Sequence, residues 1–456
     1  MELGVGKVYA SGENIEKGPG ESKSPRLASL LILQILSAKR TFPASSAAAC
    51  GATLTMVDRH TGLPLPSDGS MFLDDSALQC ARELFPHTAE GNVYLNHAGT
   101  SPLSTRVIGA MTGYLHRRSS GVIDAYQRDM EMAAECRKLA GRMINAESAD
   151  RIAFQNNTSD GINLIAAGMP WKAGDRVLLN DLEFPANVYP YLNLKKRGVA
   201  IDFITAVDGR VTTEMVEAGL TPDTRLVALS AVQFLSGHRA DLASIGGLCR
   251  SRGIVFAVDG IQAVGAVRLD VQKMKIDALA AGAQKWQMAP HGSGFVYLTE
   301  ALQDRLVQTS LGWLAVEDPW DFHNYNQPLA STARRYEGGS LNMPSLWGMH
   351  AALSTLVEYS MEAVERHILG LTGLLRDRFL RIPGVRVVTS YPDEERAGIV
   401  TIALPPGVSG KSVFKRMLDC QITTALREGQ LRYSPHFYNS PEEMMLVADC
   451  TEEALR

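Results

Sequence analysis

The 456-residue sequence has no apolar run long enough to cross a bilayer, which takes roughly 18–20 residues. The nearest, Leu27 to Ala38, resembles the apolar core of a secretion signal, and Ala47-Ala48-Ala49-Cys50 resembles a lipoprotein cleavage site. The charges are on the wrong side, because Lys39 and Arg40 follow the run whereas a signal places them before it. The expectation is a cytoplasmic protein with no membrane partner. Residues 1–70 read as a Gly-, Ser-, Ala- and Pro-rich disordered extension without a core of its own, with Met56 and Met71 as alternative starts. Cysteine is scarce. The six, Cys50, Cys80, Cys136, Cys249, Cys420 and Cys450, form no CxxC pair and no metal-ligand spacing. In a chain of this length they read as reduced, mostly buried thiols. Neither sign of charge dominates, since 45 Lys and Arg against 49 Asp and Glu leave −4. Nothing there predicts a nucleic-acid partner.

The familiar catalytic signatures are missing as well. No GxGxxG follows a candidate strand, and there is no GxSxG and no HExxH. Gly410-Lys411-Ser412 ends like a phosphate loop, but the required first glycine falls at Pro405. The segment reads as a helix start. The ten histidines do not cluster at metal spacing, so no metal is expected. Dehydrogenase, hydrolase, metalloprotease and kinase readings lose their main support.

What is present is an α/β rhythm. Candidate strands at Arg151–Phe154, Arg176–Asn180, Ala200–Ile204, Leu226–Val232, Ile254–Asp259 and Gly294–Leu298 alternate with candidate helices at Ser159–Gly168, Asn187–Arg197 and Leu242–Arg252. Apolar runs separated by helices predict a mostly parallel sheet covered on both faces. Before it, Asp75–Leu84 reads as a helix and Val93–Asn96 as an extended arm. After about 340 the pattern changes. One long helix is predicted over Ser345–Phe379, then extended pieces at Val385–Thr389 and Gly398–Ala403, then a helix at Lys411–Asp419. Ser440-Pro441-Glu442-Glu443 announces a final helix with a capping box. The predicted organisation is an extension (1–70), an arm (71–102), a large domain (103–335) and a small α+β domain (336–456).

Three segments carry chemistry. Ile254–Asp259 is an apolar strand ending in an acid, and ligands of open α/β sheets bind at such strand ends. Taken alone, Asp259 is more readily a turn or helix-cap residue. Lys285 lies in Ala280-Ala281-Gly282-Ala283-Gln284-Lys285-Trp286, among small and apolar residues. Burial there lowers an amine's pKa and favours the neutral form that attacks a carbonyl. Asn156-Asn157-Thr158-Ser159-Asp160-Gly161 follows a strand and opens a helix, where hydroxyls and backbone N–H groups suit a phosphate.

These segments, in this order, resemble the class V aminotransferase family. It includes cysteine desulfurases, selenocysteine lyases, isopenicillin N epimerases and kynureninase relatives. Further matches are Tyr94-Leu95-Asn96-His97-Ala98-Gly99-Thr100-Ser101-Pro102-Leu103, Glu183-Phe184-Pro185-Ala186-Asn187, Arg335-Tyr336-Glu337-Gly338-Gly339-Ser340-Leu341-Asn342, and Leu431-Arg432-Tyr433-Ser434-Pro435-His436-Phe437-Tyr438-Asn439. The resemblance spans about residues 90–450. It implies a fold-type-I, pyridoxal 5'-phosphate-dependent transferase with a mostly parallel seven-stranded sheet and a smaller α+β domain. Lys285 would hold the cofactor as a Schiff base and move protons at the substrate's α-carbon. Asp259 would face the ring nitrogen, Gln262 the ring hydroxyl and Phe184 the ring face. Thr158, Ser159 and Gln284 would hold the phosphate. Ser340 would reach the phosphate of a neighbouring subunit, which implies a homodimer. Arg432 would bind the α-carboxylate of an amino-acid substrate.

Departures from the family pattern bear on specificity. Gln284 and Phe184 stand where cysteine desulfurases carry histidines. The segment Thr424–Leu431 holds no cysteine to act as their nucleophile, and Cys420 reads as core. Desulfurase activity with a protein thiol is therefore not expected. Transamination is the nominal reading. Selenocysteine- or cysteine-type C–S lysis, epimerisation and a non-catalytic cofactor-binding protein stay open. Two residues have double readings. Arg239 either binds a second acidic group of the substrate or pairs with Asp241. His97 either lines the substrate pocket or is a satisfied structural histidine.

Overall fold

The computed structural model describes residues 71–389 and 391–456. The Leu27–Ala38 run, the Ala47–Cys50 segment, Met56 and the rest of the extension lie outside them. The arm begins with the helix Asp75–Glu83, capped by Asp74, whose carboxylate accepts from the Ala77 N–H. It continues to the short strand β1 (Val93–Tyr94).

Seven strands follow: β2 (Ile152–Phe154), β3 (Arg176–Asn180), β4 (Ala200–Ile204), β5 (Thr224–Ser230), β6 (Val255–Asp259), β7 (Ala278–Gly282) and β8 (Gly294–Leu298). They form one sheet in the order β2-β8-β7-β6-β5-β3-β4, in which β8 alone runs against the rest. Strands β6, β7 and β8 are buried at every residue, as strands covered on both faces must be. The predicted sheet is thus present, with one strand the sequence pattern did not suggest. That strand is β7, whose Ala-Leu-Ala-Ala-Gly run lacks the β-branched residues that mark strands. Small residues are needed there because the helix Thr158–Gly168 packs directly on it. A Cβ on Gly161 would sit 2.8 Å from that of Ala280.

The C-terminal part forms a second, antiparallel sheet, β12-β13-β10-β9, from β9 (Arg386–Val387), β10 (Val400–Ala403), β12 (Ala425–Arg427) and β13 (Gln430–Tyr433). It shares a core with the helices Met361–Phe379, Gly410–Asp419 and Pro441–Ala454. The capping box at Ser440 and Glu443 forms as read. The long helix read over 345–379 is two, Met343–Tyr359 and Met361–Phe379, broken at Ser360 with φ +61°. The Ser360 hydroxyl accepts from the Ala363 N–H and starts the second helix. The helix read over Asn187–Arg197 is a broken set of short turns.

The arm is fastened to the C-terminal part. Strand β1 pairs in parallel with β11 (Ile422–Thr423), and Asn96 bridges to Ser434. The Leu73 N–H donates to His367 Nδ1 at 3.0 Å. Among the described residues no helix is long and apolar enough to cross a membrane.

Candidate active site

The parallel strands deliver their C-terminal ends to one edge of the large sheet. Strand β6 ends at Asp259, β7 runs through Gly282 to Lys285, β5 ends at Ser230, and β3 leads through Asn180 to Glu183 and Phe184. Register places Asp259 opposite Ser230 on one side and Ala280 on the other. Loops at this edge therefore meet, although Asn180 and Lys285 are 105 positions apart in sequence.

Lys285 keeps an opening to solvent, and its Nζ lies 5.6 Å from the centre of the Phe184 ring. Burial pulls the amine down to about 8, against the opposing attraction of Asp259. Asp259 is 2% exposed, and its Oδ1 accepts from the Ile261 N–H at 2.9 Å. Burial, with the negative charge of Glu183, pushes its carboxyl up to about 7, while the Ile261 N–H and Lys285 oppose the rise. The loop of Lys285 is held from outside. Ser101 donates to the Lys285 carbonyl at 2.6 Å and its N–H to the Gln284 carbonyl at 2.9 Å. The Trp286 indole donates to Gln262 Oε1 at 2.8 Å, and a Cβ on Gly398 would come within 2.2 Å of that indole.

Gln262 also donates from Nε2 to the Ala98 carbonyl at 3.1 Å. One amide hydrogen remains, because Nε2 carries two. Phe184 is 45% exposed, a phenyl face left open beside the amine, and it meets Phe234 edge-on at 5.3 Å. Its loop is fixed by Glu183. That buried carboxylate accepts from Asn180, from Asn187 at 2.9 Å, from the Ser230 N–H at 2.8 Å and hydroxyl, and from Gln233 at 3.2 Å. Sequence reasoning quoted Glu183 within a motif and gave it no role. The available signal was an acid just past a strand end, as at Asp259.

Thr158 opens the helix Thr158–Gly168, with Asn157 as its cap. The Gly282 N–H donates to Thr158 Oγ1 at 2.8 Å, which leaves the hydroxyl hydrogen free to be donated onward. A Cβ on Gly282 would lie 2.6 Å from Gln284 Oε1 and 3.3 Å from both the nitrogen and Oγ1 of Thr158. Thr158 and Gln284 therefore converge on a cradle that only glycine leaves open, at the positive end of a helix. Ser159 lies in the same first turn. Ser340 is exposed, in a cleft with Asn156, Gly292 and Asn342, apart from the Lys285 group.

Arg432, on β13, is 2% exposed and donates from Nη1 to the Phe234 carbonyl at 2.6 Å. Its Nε has no partner, and among the described residues no carboxylate lies within ion-pair distance of it. Burial, with the charge of Arg427, lowers it to about 10. A buried guanidinium without a counter-charge calls for an anion from elsewhere.

Two expected contributors point away. His97 is fully buried, with Nδ1 2.8 Å from the Ser434 carbonyl and Nε2 2.9 Å from the Tyr438 hydroxyl. Neither ring nitrogen is left for a substrate, so the reading of His97 as a substrate ligand is corrected to a structural one. Arg239 pairs with Glu365 at 2.7 Å, not with Asp241, which caps the helix Leu242–Ser251. It is already neutralised there.

A lowered-pKa amine, an open aromatic face, a buried carboxyl and a polar cradle at a helix N-terminus suit a ring that carries an aldehyde, a basic nitrogen and a phosphate. The class so defined is the pyridoxal-phosphate-dependent enzymes of fold type I. Residues 93–438 match the family Aminotransferase class-V, and the chain belongs to that family. It is 27% identical, over 79% of its length and 94% of the relative's, to a probable cysteine desulfurase of Methanothermobacter thermautotrophicus. Its fold is similar to that of a cysteine desulfurase from Thermococcus onnurineus NA1 in its apo form, with TM-score 0.75 and 24% identity over 83% of this chain and 98% of the other. It is also similar to the cystine C–S lyase C-DES bound to cysteine persulfide, with TM-score 0.74 and 22% identity over 80% and 99% of the two chains.

Proposed function

We propose that this enzyme acts at the α-carbon of an amino acid, with Lys285 as the residue that holds the cofactor's aldehyde carbon and then carries the α-proton. Bound there, pyridoxal phosphate supplies a conjugated ring that takes up the electron pair left by the broken α-bond. The other assignments follow the chemistry of each side chain. Asp259 sits where a carboxylate would hold a proton on the ring nitrogen, and that positive partner would draw its own pKa down again. The spare Nε2 hydrogen of Gln262 serves the ring hydroxyl, and Phe184 covers the ring face. Thr158, Ser159 and Gln284 hold the phosphate, with Ser340 reaching the phosphate site of a second copy in a homodimer. Arg432 binds the substrate's α-carboxylate. The observation that carries this reading is the pairing of a partly enclosed, low-pKa amine beside Phe184 with a buried, uncompensated guanidinium held on the adjoining Phe234.

In this reading the arm, 71–102, belongs with 336–456 in a small domain beside the larger one at 103–335. The β1–β11 pairing and the Leu73–His367 bond support that grouping. Cys136 and Cys249 are buried thiols, which supports a cytoplasmic setting.

Transamination remains the nominal reaction. C–S lysis is the second reading, favoured by the names of the relatives. A desulfurase that uses its own thiol is disfavoured. The hairpin β12–β13 carries no cysteine, and Cys420 caps the helix Gly410–Asp419 and packs on the small sheet's core. The test is to load the purified protein with pyridoxal phosphate, follow the visible absorbance as amino acids are added, and measure keto acid, sulfide and the inverted isomer. Keto acid formed only with an amino acceptor supports transamination, and sulfide from cysteine or cystine supports lysis. A protein that stays colourless with added cofactor, or one whose Lys285→Ala variant keeps wild-type turnover, overturns the proposal.

A further inference from the structure

Arg432 has a companion on its own sheet face. In the hairpin, Ala425 pairs with Arg432, Leu426 with Leu431 and Arg427 with Gln430. Directly paired residues of an antiparallel ladder project to the same side, and neighbours along a strand alternate. Leu431 is fully buried in the small sheet's core, with Leu426 against it. Ala425, Arg427, Gln430 and Arg432 therefore share the opposite face, the one turned to the candidate site. Arg427 and Arg432 are diagonal neighbours there, a separation of about 7–8 Å that long side chains span easily.

Ala425, opposite Arg432, and Gln430, opposite Arg427, complete that patch, which carries no acid. The Arg427 guanidinium is folded back along the hairpin, with Nη1 donating to the Leu426 carbonyl at 2.9 Å. Among the described residues it has no carboxylate within ion-pair distance, although Glu428 follows it in sequence. Its charge also reaches both functional groups, since it is among the causes that lower Lys285 and Arg432. Two like charges held over one face without an acid between them are unfavourable in the empty protein. They become favourable once a ligand brings two acids.

Resting on the reading above, we propose that Arg427 determines specificity by binding a second acidic group, so that the preferred substrates are amino acids with an anionic side chain. The α-carboxylate goes to Arg432 and the distal carboxylate or sulfinate to Arg427. Monoacidic amino acids leave Arg427 facing Arg432 with nothing between them.

The test compares each acid with a counterpart that lacks the side-chain anion on the cofactor-loaded enzyme. L-Aspartate and L-asparagine, L-glutamate and L-glutamine, and L-cysteine sulfinate and L-cysteine are titrated against the cofactor's absorbance, and kcat/KM is measured by product. The expected result is a preference for the acid of at least about tenfold, which weakens as salt is raised. Arg427→Gln is expected to reduce that acid-over-neutral ratio by about tenfold, and Arg427→Lys to restore part of it. The carboxylate and sulfinate arms tell which distal acid is meant. No acid preference in the wild type, or the same preference in Arg427→Gln with an unchanged thermal midpoint, overturns the role of Arg427 and leaves the proposed function standing. A loaded protein that responds to none of these amino acids overturns the role of Arg427, and one that stays colourless with added cofactor overturns both.

Discussion

At the scale of single residues, the site is built from groups that water would hold more comfortably. Arg432 illustrates the consequence. A buried ion pair loses about 3–5 kcal/mol when one partner is removed, because a charge is stranded. Arg432 is already stranded, so Arg432→Met should leave the unliganded protein's stability within about 1 kcal/mol of wild type or above it, while spectral response to amino acids is lost. A large drop in thermal midpoint would show that some acid of the protein serves Arg432 after all. Lys285→Ala should separate binding from turnover. The cradle of Thr158 and Gln284 and the face of Phe184 remain, so cofactor should still bind, reversibly, while turnover falls by at least about 10³-fold. Dialysis followed by absorbance reads the first effect and product formation the second. Lys285 was legible from sequence because an amine is rare among small apolar residues, whereas Arg432 was singled out, and Asp259 assigned a role, only by the family resemblance. His97 and Arg239 were ambiguous because their partners, Tyr438 and Glu365, lie 341 and 126 positions away.

At the scale of elements, the Glu183 knot decides how well the open phenyl face is held. It ties the end of β3, through Asn180, to the end of β5, through Ser230, and both to the Phe184 loop, through Asn187. All of its partners donate, so Glu183→Gln turns one acceptor into a donor among donors. The expected loss is about 2–3 kcal/mol of stability, together with weaker retention of the cofactor, read by chemical denaturation and by cofactor titration. Lost retention with unchanged stability would place Glu183 in direct contact with the ligand instead. The elements themselves were legible where branched apolar residues alternated with helices, as at β5 and β6. Strand β7 was hidden because close packing under Gly161 demanded alanines, which carry no strand signal. The break at Ser360 was hidden because it interrupts no apolar period and is set by one left-handed residue. Arg427 was invisible as a site residue, since only the register of the hairpin puts it on the same face as Arg432.

At the scale of the whole molecule, the two ends of the described chain are joined through buried imidazoles, and this makes the fold acid-sensitive. His367 accepts from Leu73 at Nδ1 and faces the Asn439 carbonyl with Nε2 at 2.9 Å. His436 accepts from the Phe437 N–H and faces the Trp286 carbonyl at 2.8 Å. Each arrangement uses one ring nitrogen as acceptor and the other as donor, so each requires the neutral ring. Burial lowers His238, His367 and His436 to about 4 and His97 well below its ordinary value. A folded pKa below the unfolded value of 6.5 means that the unfolded chain binds more protons between about pH 4 and 6.5. Stability therefore rises with pH through that window and is lost as pH falls. Asp259 works the other way, since its raised pKa makes the folded state the better proton binder between its ordinary 3.8 and about 7. One carboxyl cannot offset four histidines, each worth up to about 1.4 kcal/mol per pH unit. Unfolding free energy of the cofactor-free protein should fall by several kcal/mol from pH 6.5 to 4.5, and His367→Asn should lower the slope by about one proton. A flat profile over that range would mean that these rings are already protonated in the folded state, and that the junction between the arm and the C-terminal segment is looser than its hydrogen bonds imply.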